Sequence, residues 1–123
     1  TEVLVPALPP QTGTAFLEMA RRRGDYALAG VAVILTVDEN RVCQAARIVC
    51  LNVGEVPMVA AKAAALLVGE QPSDTLFAAA AETAASLEID PASDVHASAA
   101  YKRHLIKVLT KRALSVAIGR VKE

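Results

Sequence analysis

The stretch 28–37, LAGVAVILTV, limits the choice of fold more than any other part of this chain. It is apolar at nearly every position and rich in β-branched residues, the composition of a buried strand. Asp38-Glu39-Asn40 follows as a turn cluster. Residues 42–53 then return as a second strand, in which Ala46, Ile48 and Cys50 alternate with Arg47, Val49 and Leu51. A short polar link between two strands predicts an antiparallel hairpin. Upstream, residues 15–21, AFLEMAR, read as a further strand with Phe16, Glu18 and Ala20 on one face and Leu17 and Met19 on the other. A short helix is the competing reading of that segment.

Between the first two strands lies a polar elbow, Arg21-Arg22-Arg23-Gly24-Asp25, where Gly24 permits the positive φ a tight turn can need. Before the first strand, Pro6, Pro9, Pro10 and Gly13 make residues 6–13 poor material for helix or central strand. They read as an extended arm, residues 1–13 in all, and the expectation is that such an arm continues something upstream. After the hairpin the period changes. VAAKAAALLV, between Pro57 and Gly69, is helical material, with Pro57 in the first turn and Gly69 at the end. Ser73 and Asp74 fit the N-cap and first turn of a second helix running to about Glu88, and Asp90-Pro91 stops it. Caps between Asp94 and Ser98 precede a third helix that reaches about Val121. Strands first and helices afterwards predict an α+β domain over 14–123: three antiparallel strands packed against three helices.

A chain of 123 residues suggests one domain, and 54% hydrophobic against 21% charged residues argues against disorder. Much of that apolar content is Ala, which favours helix but fills little volume. The formal charge is zero, so the balance calls for neither nucleic acid nor an anionic membrane. No apolar run approaches a membrane span, and no signal-peptide pattern opens the chain. Two Cys give no disulfide framework, which fits a reduced, cytoplasmic setting.

Few residues point to chemistry. Cys43 and Cys50 are seven apart on one strand, and an odd spacing places them on opposite faces, as small buried hydrophobes rather than ligands of one metal. His96 and His104 lack a third ligand at metal spacing. No nucleophile elbow surrounds Ser115, and no Gly-rich phosphate loop appears. The pattern is that of a module serving chemistry held elsewhere. On the third helix Arg103, His104, Lys107 and Lys111 fall on one side with Lys102 and Arg112 flanking, and Tyr101, Leu105, Val108 and Leu109 supply the apolar side. That side is either a solvated face or a contact for an acidic partner. In the elbow, Arg side chains can reach a phosphate or carboxylate with Asp25 setting their geometry, and Tyr26 offers a flat surface for a planar ligand. A solvated turn with Tyr26 anchoring the sheet is the alternative.

The stretch Ala15-Phe16-Leu17-Glu18-Met19-Ala20-Arg21-Arg22-Arg23-Gly24-Asp25-Tyr26-Ala27-Leu28-Ala29-Gly30-Val31-Ala32-Val33 resembles the start of the C-terminal domain in the FAD-binding medium subunit of carbon monoxide dehydrogenases. Related domains occur in xanthine dehydrogenases and other molybdenum hydroxylases. A second match is Asp90-Pro91-x-x-Asp94-x-His96-Ala97-Ser98-Ala99-x-Tyr101-Lys102-Arg103-His104-Leu105, continued by Val108-Leu109-Thr110-x-Arg112-Ala113-Leu114. A third is Ala46-Arg47-Ile48 with Gly54 and Pro57 following. The resemblance implies the same layout of three strands on three helices. It also implies a role in electron transfer: a molybdenum cofactor in a large subunit and [2Fe-2S] clusters in a small subunit feed FAD, held mainly by an N-terminal FAD-binding domain of the same subunit. The elbow then lies beside the isoalloxazine ring. Tyr26 would pack near the ring, and Arg22 and Asp25 would shape the mouth where the acceptor arrives. Many relatives have Lys where this chain has Glu18, a reversal of charge that weighs against a flavin contact there. The resemblance further implies helix-start roles for Asp94 and Ser98, packing of Tyr101 on Leu105, and a bridge from Arg103 to a neighbouring domain or subunit. The other expectation is a docking module that joins the subunits without touching flavin. Whichever holds, the isolated domain is expected to bind FAD poorly and to catalyse nothing.

Overall fold

The computed structural model describes residues 11–20, 27–51, 57–87, 89 and 99–121. In chain order they form β1 (Thr12–Ala20), β2 (Ala27–Val37), β3 (Cys43–Leu51), β4 (Met58–Val59), α1 (Ala61–Leu67), α2 (Asp74–Leu87) and α3 (Ala99–Gly119). The strands make one antiparallel sheet in the order β1-β2-β3-β4. The three helices cover one face of it, so the α+β layout read from the sequence holds, with a short fourth strand added.

That fourth strand corrects the reading of Pro57 as part of a helix. Val59 pairs with Val49 and Met58 with Cys50, and the Ala60 N–H donates to the Ile48 carbonyl at 2.8 Å. The helix starts only after these bonds are made. Two residues are too few to show an alternation, so the sequence carries no signal for them. β1 likewise begins at Thr12, earlier than the strand read over 15–21. The Val37 N–H donates to the Gln11 carbonyl at 3.1 Å, and the Thr12 and Thr36 hydroxyls lie 2.8 Å apart.

The β2–β3 turn is organised by Asp38. Its Oδ1 accepts the N–H groups of Asn40 at 2.8 Å and Val42 at 2.9 Å, and its Oδ2 accepts the Gln44 side-chain amide at 3.0 Å. Beside the turn, Ala45 faces Thr36 and Cys43 faces Val37, so Gln44 is an extra residue in β3. This bulge shifts the parity of the strand. Cys43 and Cys50 therefore share the inner face, at 1% and 0% exposure, which corrects the assignment to opposite faces.

α1 stops because the chain behind it is tied to β3. Gly69 takes φ +86°, its N–H donates to the Cys43 carbonyl at 2.8 Å, and the Cys43 N–H donates to the Glu70 carbonyl at 2.9 Å. α2 starts as predicted, with Ser73 Oγ accepting the Leu76 N–H at 3.1 Å.

α3 buries Lys102, Leu105, Ile106, Leu109, Thr110, Ala113, Leu114 and Ala117, a stripe at helical spacing. The stripe rotates Lys102 inward, to 7% exposure, and Tyr101 outward, to 47%. Leu105 and Leu109 lie on the buried side as read, but Tyr101 leaves it, and Lys102 is no flank of the basic side. Ala residues let the layers approach closely: Ala63, Ala80, Ala84, Ala113 and Ala117 are fully buried between helices and sheet. At Gly13 the approach leaves no room for a side chain, since a Cβ would lie 1.8 Å from the Ala117 carbonyl oxygen.

Two stability predictions follow from this packing. Gly13→Ala forces β1 and α3 apart, an overpacking of about 3 kcal/mol or more, and thermal unfolding should show a midpoint at least about 10 °C lower. Thr110 has the opposite problem: its hydroxyl is buried with no hydrogen-bond partner among the described residues. Thr110→Val removes that group at constant shape and should stabilise by about 1 kcal/mol in denaturant titration. An unchanged or lowered midpoint would contradict the assignment.

Candidate functional site

The β1–β2 hairpin carries the elbow. The strands pair from Thr12↔Thr36 to Ala20↔Ala27, with a register shift between Met19 and Ala20 that leaves Leu28 as an extra residue. Such an irregularity bends and twists the strand that carries it. Arg22, Asp25 and Tyr26, the residues expected beside a flavin, lie outside the described residues, as do His96, Asp94 and Ser98. The last full row before the elbow on the outer face, away from the helices, is Glu18↔Gly30↔Leu51. The space for a Gly30 Cβ lies 3.6 Å from both the Glu18 and the Leu51 Cβ atoms. Gly30 thus leaves a flat spot between them, with the exposed Glu18 carboxylate at its side.

A second feature lies along the β1 edge. Leu17 and residues of α3 enclose a groove of about 710 Å³, lined by His104, Lys107, Val108, Lys111, Arg112, Ser115 and Val116. Its floor is apolar and its rim cationic. Lys107 is compensated: its Nζ lies 2.8 Å from Glu82 Oε2 of α2. Lys111 and Arg112 are exposed and make no ion pair among the described residues. The basic cluster read from the sequence is therefore brought together, less two members. Lys102 is buried, and Arg103 donates to the Ala85 carbonyl at 2.6 Å. Arg103 thereby ties α3 to α2 within this chain, where the resemblance implied a bridge to a neighbour. Sequence reasoning missed Leu17 as floor and Ser115 as rim, because both belong to the groove only once α3 lies along β1.

The remaining candidates have structural explanations. Burial pushes the Cys43 thiol above its ordinary pKa, partly offset by its contact with the Ala45 carbonyl, so it stays protonated and inert. Among the described residues no three His, Cys, Asp or Glu side chains come together as a metal site. No helix among them is long and apolar enough to cross a membrane.

The sequence pattern of the CO dehydrogenase flavoprotein C-terminal domain matches residues 14–117. The chain belongs to that family. Over 121 residues it is 40% identical to the 6-hydroxypseudooxynicotine dehydrogenase complex subunit alpha of Paenarthrobacter nicotinovorans, covering 98% of this chain and 40% of that protein. It is 34% identical to the carbon monoxide dehydrogenase medium chain of Afipia carboxidovorans, covering 99% of this chain and 42% of the relative. In structure it resembles a carbon monoxide dehydrogenase chain from Hydrogenophaga pseudoflava with a TM-score of 0.89 at 33% identity, covering 96% of this chain and 40% of that one. The chain thus spans about two fifths of the length of the relatives it matches. The flavoprotein C-terminal-domain fold accounts for the α+β architecture and for the helical layer on one face of the sheet.

The groove makes one prediction directly. The Lys107 ammonium and the Ser86 hydroxyl, which donates at 3.1 Å, hold the Glu82 carboxyl below the usual carboxylate range. The contact is therefore in place above the ordinary Glu pKa of about 4.3 and is lost as pH falls through the lowered value. A carboxyl-carbon NMR titration should give Glu82 a midpoint below that of a free Glu, and Lys107→Ala should move it up. An unshifted Glu82 would exclude the α2–α3 pair in solution.

Proposed function

We propose that this chain is the part of an FAD-carrying medium subunit that completes a flavin site built mainly by a preceding FAD-binding domain. The subunit would work in a molybdenum hydroxylase, beside a small subunit with [2Fe-2S] clusters and a large subunit with the molybdenum cofactor. The observation that carries the reading is the family match over residues 14–117, which runs through the elbow as well as the strands that hold it. Carrying electrons from iron–sulfur clusters to an external acceptor is the chemistry FAD supplies when bound.

The chain's own residues would bind and orient. The described residues suit the ring of the cofactor better than its diphosphate. Next to the elbow the outer face is flat at Gly30 and apolar at Leu51, and a planar ring packs well on such a surface. The exposed Glu18 carboxylate in the same row weighs against a phosphate contact there. Tyr26 would stack near the ring and exclude water from one side. Arg22 and Asp25 would shape the mouth through which an acceptor arrives, Arg22 offering donors to an anionic or carbonyl-bearing molecule and Asp25 fixing its direction.

A second reading has its own support in the groove. Lys111 and Arg112, uncompensated above an apolar floor, suit an acidic surface on a partner subunit, and in that reading the chain docks without touching flavin. One experiment separates the two. In the full-length subunit, Tyr26→Ala should weaken FAD retention about tenfold or shift the flavin absorption bands, with assembly intact. Lys111→Glu should leave the bands alone and reduce co-purification of the partner subunits. A full-length subunit without flavin absorption would overturn the first reading and leave the second.

A further inference from the structure

We propose that the outer face of the sheet is the seat of the FAD-carrying domain of the same subunit. The inference rests on the reading of this chain as the C-terminal domain of a flavin subunit, and it names the surface through which the two domains join.

The helices cover only the inner face. On the other face the register lines up Phe16, Ala32, Val49 and Val59 in a single row across all four strands. Phe16 is 54% exposed, Val59 49%, and Ile34 beside the row 40%. An antiparallel sheet open to water on one face normally alternates apolar with polar residues. β2 does not: Ala32 and Ile34 point outward between Val31, Val33 and Leu35, which point inward. A strand apolar in both registers is the pattern of a strand buried on both sides. That is the physical content of the run LAGVAVILTV.

The charges on the described part of this face are Glu18 and Arg47, and they sit in the rows on either side of the apolar one. An apolar centre with charges of opposite sign at its rim is how protein contacts are built. The size of the occupant follows from the relatives: this chain accounts for 40% of the subunit it matches with 40% identity, and the rest is a larger body. Position supports the same choice. β1 ends at Ala20 and β2 begins at Ala27, just beyond the Glu18–Gly30–Leu51 row, so a body seated on this face has that end of the hairpin at its margin. The groove on the β1 edge remains open for other subunits.

Val59→Cys and Leu66→Cys report on the two sides of the domain with similar starting exposure, 49% and 43%. In the purified full-length subunit, without the small and large subunits, maleimide should label Cys at position 59 about tenfold more slowly than at position 66, as expected at a buried interface centre. Hydroxyl-radical oxidation of Phe16 in the unsubstituted subunit should be low in the same preparation, which reads the face without any variant. Equal labelling at both positions would overturn the proposal. So would protection that arises only after the partner subunits are added, or only at concentrations where the subunit dimerises. Flavin absorbance is recorded on the same samples. Flavin present with position 59 open refutes the docking face alone. Flavin absent with position 59 protected refutes the flavin reading and supports the docking face.

Discussion

The third helix can lie on the sheet only because position 13 has no side chain. There β1 passes so close to the Ala117 carbonyl that any Cβ would overlap it. Other contacts of α3 are set by that approach. Arg120, just beyond the helix end, donates to the Thr14 carbonyl at 3.0 Å, which fastens the end of the helix to β1 beside the contact. With α3 fixed, its buried stripe meets β1 and β2 on one side and α2 on the other, where Arg103 reaches the Ala85 carbonyl. Small residues recur along these lines because two layers cannot come this close over larger ones. The abundance of Ala, which looks from composition alone like a shortage of core volume, is the condition for this spacing.

Much of the architecture was legible in the sequence because it rests on period. The hairpin of β2 and β3, the Ser73 cap of α2 and the long amphipathic α3 all follow from patterns that repeat over several residues. What was not legible depended on single events. The bulge at Gln44 moved Cys43 to the same face as Cys50, and no periodicity rule contains one inserted residue. β4 is two residues long and forms because Val49 and Cys50 offer a free edge. At the start of α3 two residues take places opposite to those read, the long Lys102 stem turned in and the Tyr101 ring turned out, although Leu105 and Leu109 keep the phase. For the candidate site, the basic residues of α3 were legible as a cluster, but not the apolar floor that Leu17 supplies from β1, since that contact joins residues far apart in the chain. The elbow was legible only by resemblance, because turns of this composition are common on surfaces of no particular function.

The distribution of polarity separates what this domain does for itself from what it does for others. Its inner face is complete: the buried side chains of sheet and helices form one cluster, and both thiols are closed inside it. Its other surfaces are not balanced in the same way. One edge gathers cations that the neighbouring helix only partly neutralises, and the outer sheet face keeps apolar residues in the register where an isolated domain would carry polar ones. A domain selected only to fold would have no reason to keep either. Both features make sense in a domain whose fold is finished but whose surroundings are supplied by a larger assembly.

That division also explains why so few residues of this chain invite a chemical role. In the proposed role the reactive atoms would belong to the cofactor, and the protein would contribute position, exclusion of water and local charge. A hairpin is well suited to such work. Its two strands are held by nine paired rows, from Thr12↔Thr36 to Ala20↔Ala27, a long stem for the connection between them. The irregularity at Leu28 comes at the end of that stem, where pairing no longer has to fix the direction of side chains. The strands are held by packing against α3, and the contact at Gly13 on which the fold depends lies at the far end of β1 from Ala20, where the connection to β2 leaves the sheet.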